Sequence, residues 1–273
     1  MDKVKSSIAD GYESFYREFD SPLMRGLRRE AYGEDIGQHS WVGAEELRAD
    51  IPRLALSPAS RLLDLGCGPC GPLTFVLAAT GCRGTGVDLS PSGLEVGRAR
   101  AASMGVDSSL AFLPADLNAP IPLESRSFDT AMSLDVVLHL RDRSALFHEV
   151  ARLLRPGGRF LFTDAGVVTG SVSNDDVRAR SFNGYTQFVP PGWNETLLES
   201  AGFRLIESEN RTMSVLRNVM GRLAAMQAHR AELEQVWTAA GFERQRDYLE
   251  TVGDLSRRGA VSRFMYLAEA PGA

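Results

Sequence analysis

The segment Asp64-Leu-Gly-Cys-Gly-Pro-Cys-Gly71 carries the densest chemistry in the chain. Glycines at 66, 68 and 71 let a backbone approach a ligand closely where a strand hands over to a helix, and the N–H groups of a helix start favour an electron-rich ligand there. The spacing G-x-G-x-x-G is also the dinucleotide fingerprint, with Asp88 placed twenty residues past Gly68 to hold a ribose. Within the same loop, Cys67-Gly-Pro-Cys70 has the letters of a thioredoxin dithiol, whose reactivity needs a lowered thiol pKa. Here the cysteines interleave with glycines, so they equally read as small residues filling tight positions. Further along, His139 stands between Leu138 and Leu140. An imidazole can move a proton near neutral pH, although a histidine with such neighbours also suits a hydrogen-bonded core.

Short apolar runs alternate with helical segments from Arg61 onward, and that alternation positions these groups. The runs are 62–65, 84–87, 110–113, 128–134 and 160–163, with helical spacing at 73–79, 94–104 and 145–154. Such alternation gives a parallel sheet covered on both faces. Ahead of it, Ser14 to Leu27 and Ala44 to Leu54 read as helices, flanking a polar and aromatic stretch, Ala31 to Trp41. After Asp164 a polar stretch to Gly192 is too long for a bare connection and reads as a lid or acceptor loop. A helix follows from Trp193 to Ala201, then a strand from Phe203 to Glu207 and a last strand from Val261 to Ala268. Between those strands, Leu216, Val219, Met220, Leu223, Met226, Leu233, Val236 and Trp237 mark the apolar face of one longer amphipathic helix. The expected organisation is a helical cap over 1–55, a ligand-binding core over 56–165, a lid over 166–192, and the rest of the sheet over 193–273. A helical insertion at about 211–258 interrupts the last of these.

Bulk properties narrow the partners. The chain has 273 residues, 44% of them hydrophobic, enough for a full core. No apolar run approaches the roughly 18 residues of a membrane span, and the start MDKVKSSIADGYESF lacks the apolar core of a signal peptide. Three cysteines fit a reducing cytoplasm rather than a disulfide scaffold. The net charge of −5 argues against nucleic acid as partner. No metal site is expected, and the oligomeric state stays open.

The loop Asp64-Leu-Gly-Cys-Gly68 is similar to the first motif of the class I S-adenosylmethionine (SAM) dependent methyltransferases, and four further segments keep register with that family. Gly86-Val-Asp-Leu-Ser90 resembles the second motif, Ala115-Asp116-Leu117 the third, Phe128 to Asp135 the fourth, and Leu154 to Phe160 the turn into the fifth strand. A dinucleotide reading expects none of the last three. The resemblance implies a Rossmann-like, doubly wound α/β sheet of seven strands with the last antiparallel, and SAM as cofactor, leaving S-adenosylhomocysteine. It implies Asp64, Gly66, Cys67, Gly68, Asp88, Leu89, Asp116, Leu117 and Ser133 at the cofactor. Asp88 would take the ribose hydroxyls, since one carboxylate can accept from both. Asp116 would meet the adenine amino group, with Leu117 against the ring.

Ser133 to Arg143 further resembles the phosphoethanolamine and glycine/sarcosine N-methyltransferases, as does Tyr32-Gly-Glu-Asp-Ile36 in the cap. In the phosphoethanolamine enzymes the histidine matching His139 forms a catalytic dyad with an N-terminal tyrosine. Tyr16 and Tyr12 both stand as the partner here, with Tyr16 taken as catalytic and Tyr12 as an acceptor residue. Those enzymes hold phosphate with a tyrosine after the fifth strand's aspartate and a lysine in the last strand. Here those neighbourhoods read Asp164-Ala165 and Arg263-Phe-Met-Tyr266, which disfavours a phosphate-bearing acceptor. The resemblance implies methyl transfer to a small amine or N-heterocycle, with O- or C-methylation as the alternative. Tyr32, His39, Trp41, Asp164, Arg180 and Tyr185 are the remaining acceptor candidates, Arg180 because a planar guanidinium suits a carboxylate. An NAD-dependent oxidoreductase and a SAM-binding scaffold without turnover are the readings from other classes.

Overall fold

The computed structural model describes residues 13, 15–181 and 186–272. Seven strands form one sheet: β1 (Arg61–Leu65), β2 (Arg83–Asp88), β3 (Leu110–Pro114), β4 (Phe128–Leu134), β5 (Leu154–Val168), β6 (Arg204–Asn210) and β7 (Val261–Glu269). Their order is β3-β2-β1-β4-β5-β7-β6. Pairings from β3 across to β5 are parallel, and β7 runs antiparallel to both its neighbours. Alternate strand residues face opposite layers because the side-chain period of a strand is two. Leu63, Phe160 and Phe162 pack in the layer containing Phe147 and Phe203, whereas Leu62, Leu161 and Met265 pack in the layer containing Leu47, Leu73 and Val76.

Helices α3 (Gly71–Thr80), α4 (Pro91–Ser103), α5 (Arg143–Leu153) and α7 (Trp193–Ser200) cover the sheet. Helix α2 (Ala44–Asp50) adds Ala44 and Leu47 to the second of these layers, and the remaining helices build a roof over the carboxyl edge: α1 (Pro22–Tyr32) before the sheet, α6 (Asn174–Arg180) after β5, and α8 (Thr212–Ala228), α9 (Arg230–Trp237) and α10 (Ala239–Arg257) between β6 and β7. Met24 and Leu27 of α1 and Trp41 share one apolar cluster with Val215, Val219, Leu233, Phe242 and Leu249. Residues far apart in sequence thus meet in a core separate from those lining the sheet.

Several helix boundaries differ from the sequence reading. The helix expected from Ser14 to Leu27 is broken: residues 15–17 are helical, and α1 starts afresh at Pro22 with the Ser21 hydroxyl accepting from the Met24 N–H at 3.3 Å. Proline at a first helical position fits a new start because its missing N–H costs nothing there. The single helix expected through 216–237 is two, α8 and α9, which meet at His229 (φ −110°, ψ 27°), and α10 follows. The stretch after Asp164 is also more regular than a loop: β5 continues to Val168, and α6 carries a reciprocal capping box between Ser173 and Asp176.

Roof and sheet are joined by buried charge. Asp135, just past β4, has a left-handed backbone (φ 59°). One of its carboxylate oxygens accepts from Arg263 Nε at 2.8 Å and from the Thr163 hydroxyl at 2.9 Å, and the other accepts from the Trp41 N–H at 2.9 Å. Arg263 also donates to Glu46 of α2 at 2.7 Å and to the Ser214 hydroxyl of α8 at 3.1 Å. Beside it, Arg211 makes two 2.6 Å bonds to fully buried Asp50. Removing one partner of a buried pair leaves the other desolvated without compensation. Arg263→Met is therefore expected to lower unfolding free energy by about 3–5 kcal/mol in urea denaturation. Arg204→Ala, breaking an exposed pair with Glu269, should cost below about 1 kcal/mol; equal losses would contradict this assignment.

Candidate active site

The carboxyl ends of β1, β2, β3 and β4 open into a cavity of about 250 Å³ beneath the roof. Open α/β sheets bind ligands at this edge, where the strand order reverses on either side of β1.

The floor begins at the glycine loop. Gly66 and Cys67 donate their N–H groups to the Val87 carbonyl at 2.8 and 3.1 Å, which folds the loop over the end of β2. Gly68 has φ 50°, and its N–H donates to the Asp88 carboxylate at 2.7 Å; a Cβ there would lie 2.8 Å from the Tyr16 hydroxyl. Gly71 opens α3 directly under the roof, where a Cβ would overlap the Gly37 carbonyl. Asp88 also accepts from the Ser90 N–H at 2.8 Å. Burial raises its carboxyl above the usual range, with the N–H groups of Ser90, Gly68 and Leu89 pulling the other way. Asp64 is more extreme: buried, and facing Asp88, it is pushed well above the ordinary carboxylate range by desolvation first and that like charge second.

Tyr16 lies over this floor, its ring against Gly68 and Gly93. Glu13, one turn earlier, clamps the same segment to the start of α4 by accepting from the hydroxyls of Ser90 and Ser92. Burial works against its charge, but those bonds hold its carboxyl below the ordinary value. Opposite stand Ala115, Asp116 and Leu117, with Asp116 accepting from the Asn118 N–H and amide, both at 2.9 Å. Leu89 presents its side chain to the cavity, 49% exposed.

The roof supplies aromatic and basic groups. The His39 ring lies 4.3 Å from that of Phe15, centroid to centroid, and edge-on to Tyr16 at 5.8 Å. It lines the cavity. Desolvation, then the positive charge of Arg222, then His139, hold His39 down to about 3, so it stays neutral at physiological pH. His139 and Asp135 line the cavity from the loop after β4, and Arg222, Gln245 and Tyr248 line it from α8 and α10.

The structure thus brings together Tyr16, His39, Trp41, Asp64, Gly66, Cys67, Gly68, Asp88, Leu89, Asp116, Leu117 and His139 around one cavity. It takes four expected residues out of the wall. The Ser133 hydroxyl is fully buried and donates to the Leu65 carbonyl at 3.0 Å, tying β4 to β1. Asp164 is fully buried and accepts from Arg143 at 2.6 Å and Asn194 at 2.8 Å, so its charge holds α5 and α7 to β5. Arg180, expected to face a carboxylate, is buried behind the wall; it donates to the Tyr248 hydroxyl at 3.0 Å and the Ala165 carbonyl at 3.2 Å. Tyr32 donates to the Ser40 carbonyl at 3.2 Å and faces a smaller, neighbouring chamber. Tyr12 and Tyr185 lie outside the described residues. Asp135, Arg222, Gln245 and Tyr248 are wall residues that sequence reasoning missed. Asp135 stood inside a quoted motif, but the other three carry no local signal: on helices of unknown placement they read as ordinary polar faces.

A seven-stranded sheet of this order, with a glycine loop after β1 and an acidic residue ending β2, defines a nucleoside-binding α/β enzyme fold. A family model described as "Methyltransferase domain" matches residues 63–162. Phosphoethanolamine N-methyltransferase 1 of Zea mays is 29% identical over 223 residues, covering 81% of this chain and 44% of that protein. An O-methyltransferase of Pyrenophora dematioidea is 30% identical over 219 residues, covering 76% of this chain and 80% of the relative. Among solved structures, phosphoethanolamine N-methyltransferase 2 of Haemonchus contortus, in complex with phosphomonomethylethanolamine and S-adenosylhomocysteine, superposes with a TM-score of 0.79. It is 21% identical, over 96% of this chain and 60% of that one. The chain belongs to the class I SAM-dependent methyltransferase family. It spans about half the length of the first curated relatives it matches.

The raised carboxyl of Asp64 has a measurable sign. A group whose folded pKa exceeds its unfolded value stabilises the fold below the unfolded pKa and loses that contribution as pH rises through the folded one. Asp64→Asn is therefore expected to raise the melting temperature of the ligand-free protein at pH 8, with the gain shrinking as pH falls toward about 4. A gain independent of pH would show that ionisation of Asp64 is not its source.

Proposed function

We propose that this chain transfers a methyl group from SAM to a small-molecule acceptor held beneath the roof, at an amine or ring nitrogen. The observation that carries the reading is the joint placement of Asp64, the Gly66–Gly68 loop, Asp88 and Asp116 with His39, His139 and Trp41 in the lining of a single cavity. The family supplies the cofactor; the walls supply a place for it and for a second molecule.

SAM brings a methyl carbon made electrophilic by its sulfonium. What this chain's residues add is binding, orientation and proton handling. Asp88 has carboxylate oxygens for a pair of ribose hydroxyls while its loop bonds keep it fixed. Asp64, buried and short of compensating charge, suits the ammonium of the methionyl end, and a cation there would draw it back to the ionised form. Asp116 and Leu117 suit the adenine, with Leu89 adding an apolar face. On the acceptor side, a histidine held near 3 binds protons poorly, so His39 serves to orient the acceptor as a neutral ring. We assign the proton to His139, with the Tyr16 hydroxyl over Gly68 between loop and acceptor. An amine must lose a proton to attack, and a well-placed imidazole can accept it. Exclusion of water by the roof favours methylation over hydrolysis.

On this reading residues to about 55 form the cap, 56–165 the cofactor-binding core, 166–192 an acceptor-side lid, and 193–273 the remaining sheet with its insertion at about 211–258. Three buried free thiols fit a reducing compartment such as the cytoplasm, and no helix among the described residues is long and apolar enough to cross a membrane.

Calorimetric titration with S-adenosylhomocysteine tests the cofactor half, and transfer of labelled methyl from SAM to a panel of amines and N-heterocycles tests the rest. Asp88→Ala is expected to weaken S-adenosylhomocysteine at least tenfold, as loss of hydrogen bonds to a charged group does. His139→Ala is expected to leave that affinity within about twofold and to lower kcat by roughly 10²–10⁴. Tight binding of NADH, with none of S-adenosylhomocysteine, would overturn the reading.

A further inference from the structure

Behind the acceptor side of the cavity lies a second chamber of about 60 Å³. The two share Phe15, His39, Arg222 and Gln245 as a common wall. Met24, Leu27, Ala225, Met226 and Trp237 give the chamber its apolar lining. Its polar neighbours are already engaged. Arg28 donates to Asp35 and to the Phe19 carbonyl, Gln38 bonds the Ile36 N–H and the Glu34 carbonyl, and Tyr32 bonds the Ser40 carbonyl. Away from the wall it shares with the cavity, a molecule entering it finds mainly hydrocarbon and aromatic surface.

The shared wall differs. The Arg222 guanidinium lies over the Trp41 ring, 5.3 Å from its centroid, and among the described residues it has no carboxylate partner and no hydrogen-bond acceptor. Gln245, alongside, makes no hydrogen bond among the described residues either. Other arginines nearby have partners: Arg263 pairs with Asp135 and Glu46, although its Nη2 is buried without one, Arg143 with Asp164, Arg211 with Asp50, and Arg180 with the Tyr248 hydroxyl and the Ala165 carbonyl. A half-buried cation held against an aromatic face and lacking an anion is a receptor for one. A single planar guanidinium matches the two oxygens of a carboxylate, whereas a phosphate dianion calls for more than one positive charge.

We infer that the acceptor is a predominantly apolar molecule carrying one carboxylate, which Arg222 and Gln245 hold at the junction while its apolar end occupies the chamber. This rests on the methyl-transfer reading and names the acceptor class for the same site. In β7, where the resemblance would place a phosphate-holding lysine, the stretch carries Arg263, whose Nε and Nη1 are bound to Asp135 and Glu46 inside the protein.

The test is titration of the protein saturated with S-adenosylhomocysteine, using three probes: 4-phenylbutyrate, 4-phenylbutanol and O-phosphoethanolamine. The acid is expected to bind at least tenfold tighter than the alcohol, and O-phosphoethanolamine not to saturate. Arg222→Met, which keeps the stem on Trp41, should weaken the acid roughly tenfold or more and leave the alcohol within about twofold. Ala225→Leu, filling the chamber, should weaken both. S-adenosylhomocysteine affinity, unchanged in each variant, shows that the fold and cofactor site persist. Acid and alcohol binding alike, acid affinity insensitive to Arg222→Met, or an acid that never saturates the loaded protein would each overturn the inference while sparing the methyl-transfer reading. Failure of the parent protein to bind S-adenosylhomocysteine would instead remove the reading beneath it.

Discussion

Asp135 and Arg263 form the contact on which the site's shape depends. Arg263 sits on β7, the antiparallel strand, and its guanidinium reaches across β5 to a carboxylate just beyond β4. The same carboxylate fixes the Trp41 backbone, and the same arginine reaches Glu46 and Ser214. Sheet, cap and insertion therefore meet at one buried pair. A non-glycine residue with left-handed backbone costs on the order of 1 kcal/mol, and Asp135 is held there by bonds from three directions. The next residue, Val136, packs directly over Gly66, so the geometry at Asp135 passes to the floor of the cofactor loop.

That arrangement explains a division of labour among the acidic residues at the carboxyl edge. Asp135 and Asp164 are matched by Arg263 and Arg143 and serve as fixed points. Asp64 and Asp88 face the cavity beside one another, with backbone N–H groups compensating only Asp88. The strained charges lie where a ligand would relieve them, and the relieved ones lie where the fold needs rigidity. Local inconsistency of this kind concentrates at functional sites.

The glycine-loop side of the cavity was legible in the sequence because its determinants are local. Asp64, Gly66, Gly68, Asp88 and Asp116 sit at strand ends, and strands with period-two burial announce their own boundaries. The wall under the roof was much less so. Arg180 looked like the carboxylate ligand because it stood in a polar stretch, yet α6 turns it inward against Tyr248. Arg222 drew no notice in the sequence, yet α8 lays it over the Trp41 ring. Ser133, inside a motif in register with the family, and Asp164, within β5, are consumed by bonds to β1, α5 and α7. Which side of a helix meets a cavity depends on packing between distant segments, here α1 against the insertion, and no single-segment pattern encodes it.

The most direct test of the account is a crystal structure of the protein with S-adenosylhomocysteine. The account predicts the ribose at Asp88, the adenine beside Asp116 and Leu117, the amino-acid end toward Asp64, and the thioether facing the His39 and His139 side of the cavity, with the Asp135–Arg263 pair intact. Ligand bound outside this cavity, or inside it with Asp88 and Asp64 untouched, would contradict it.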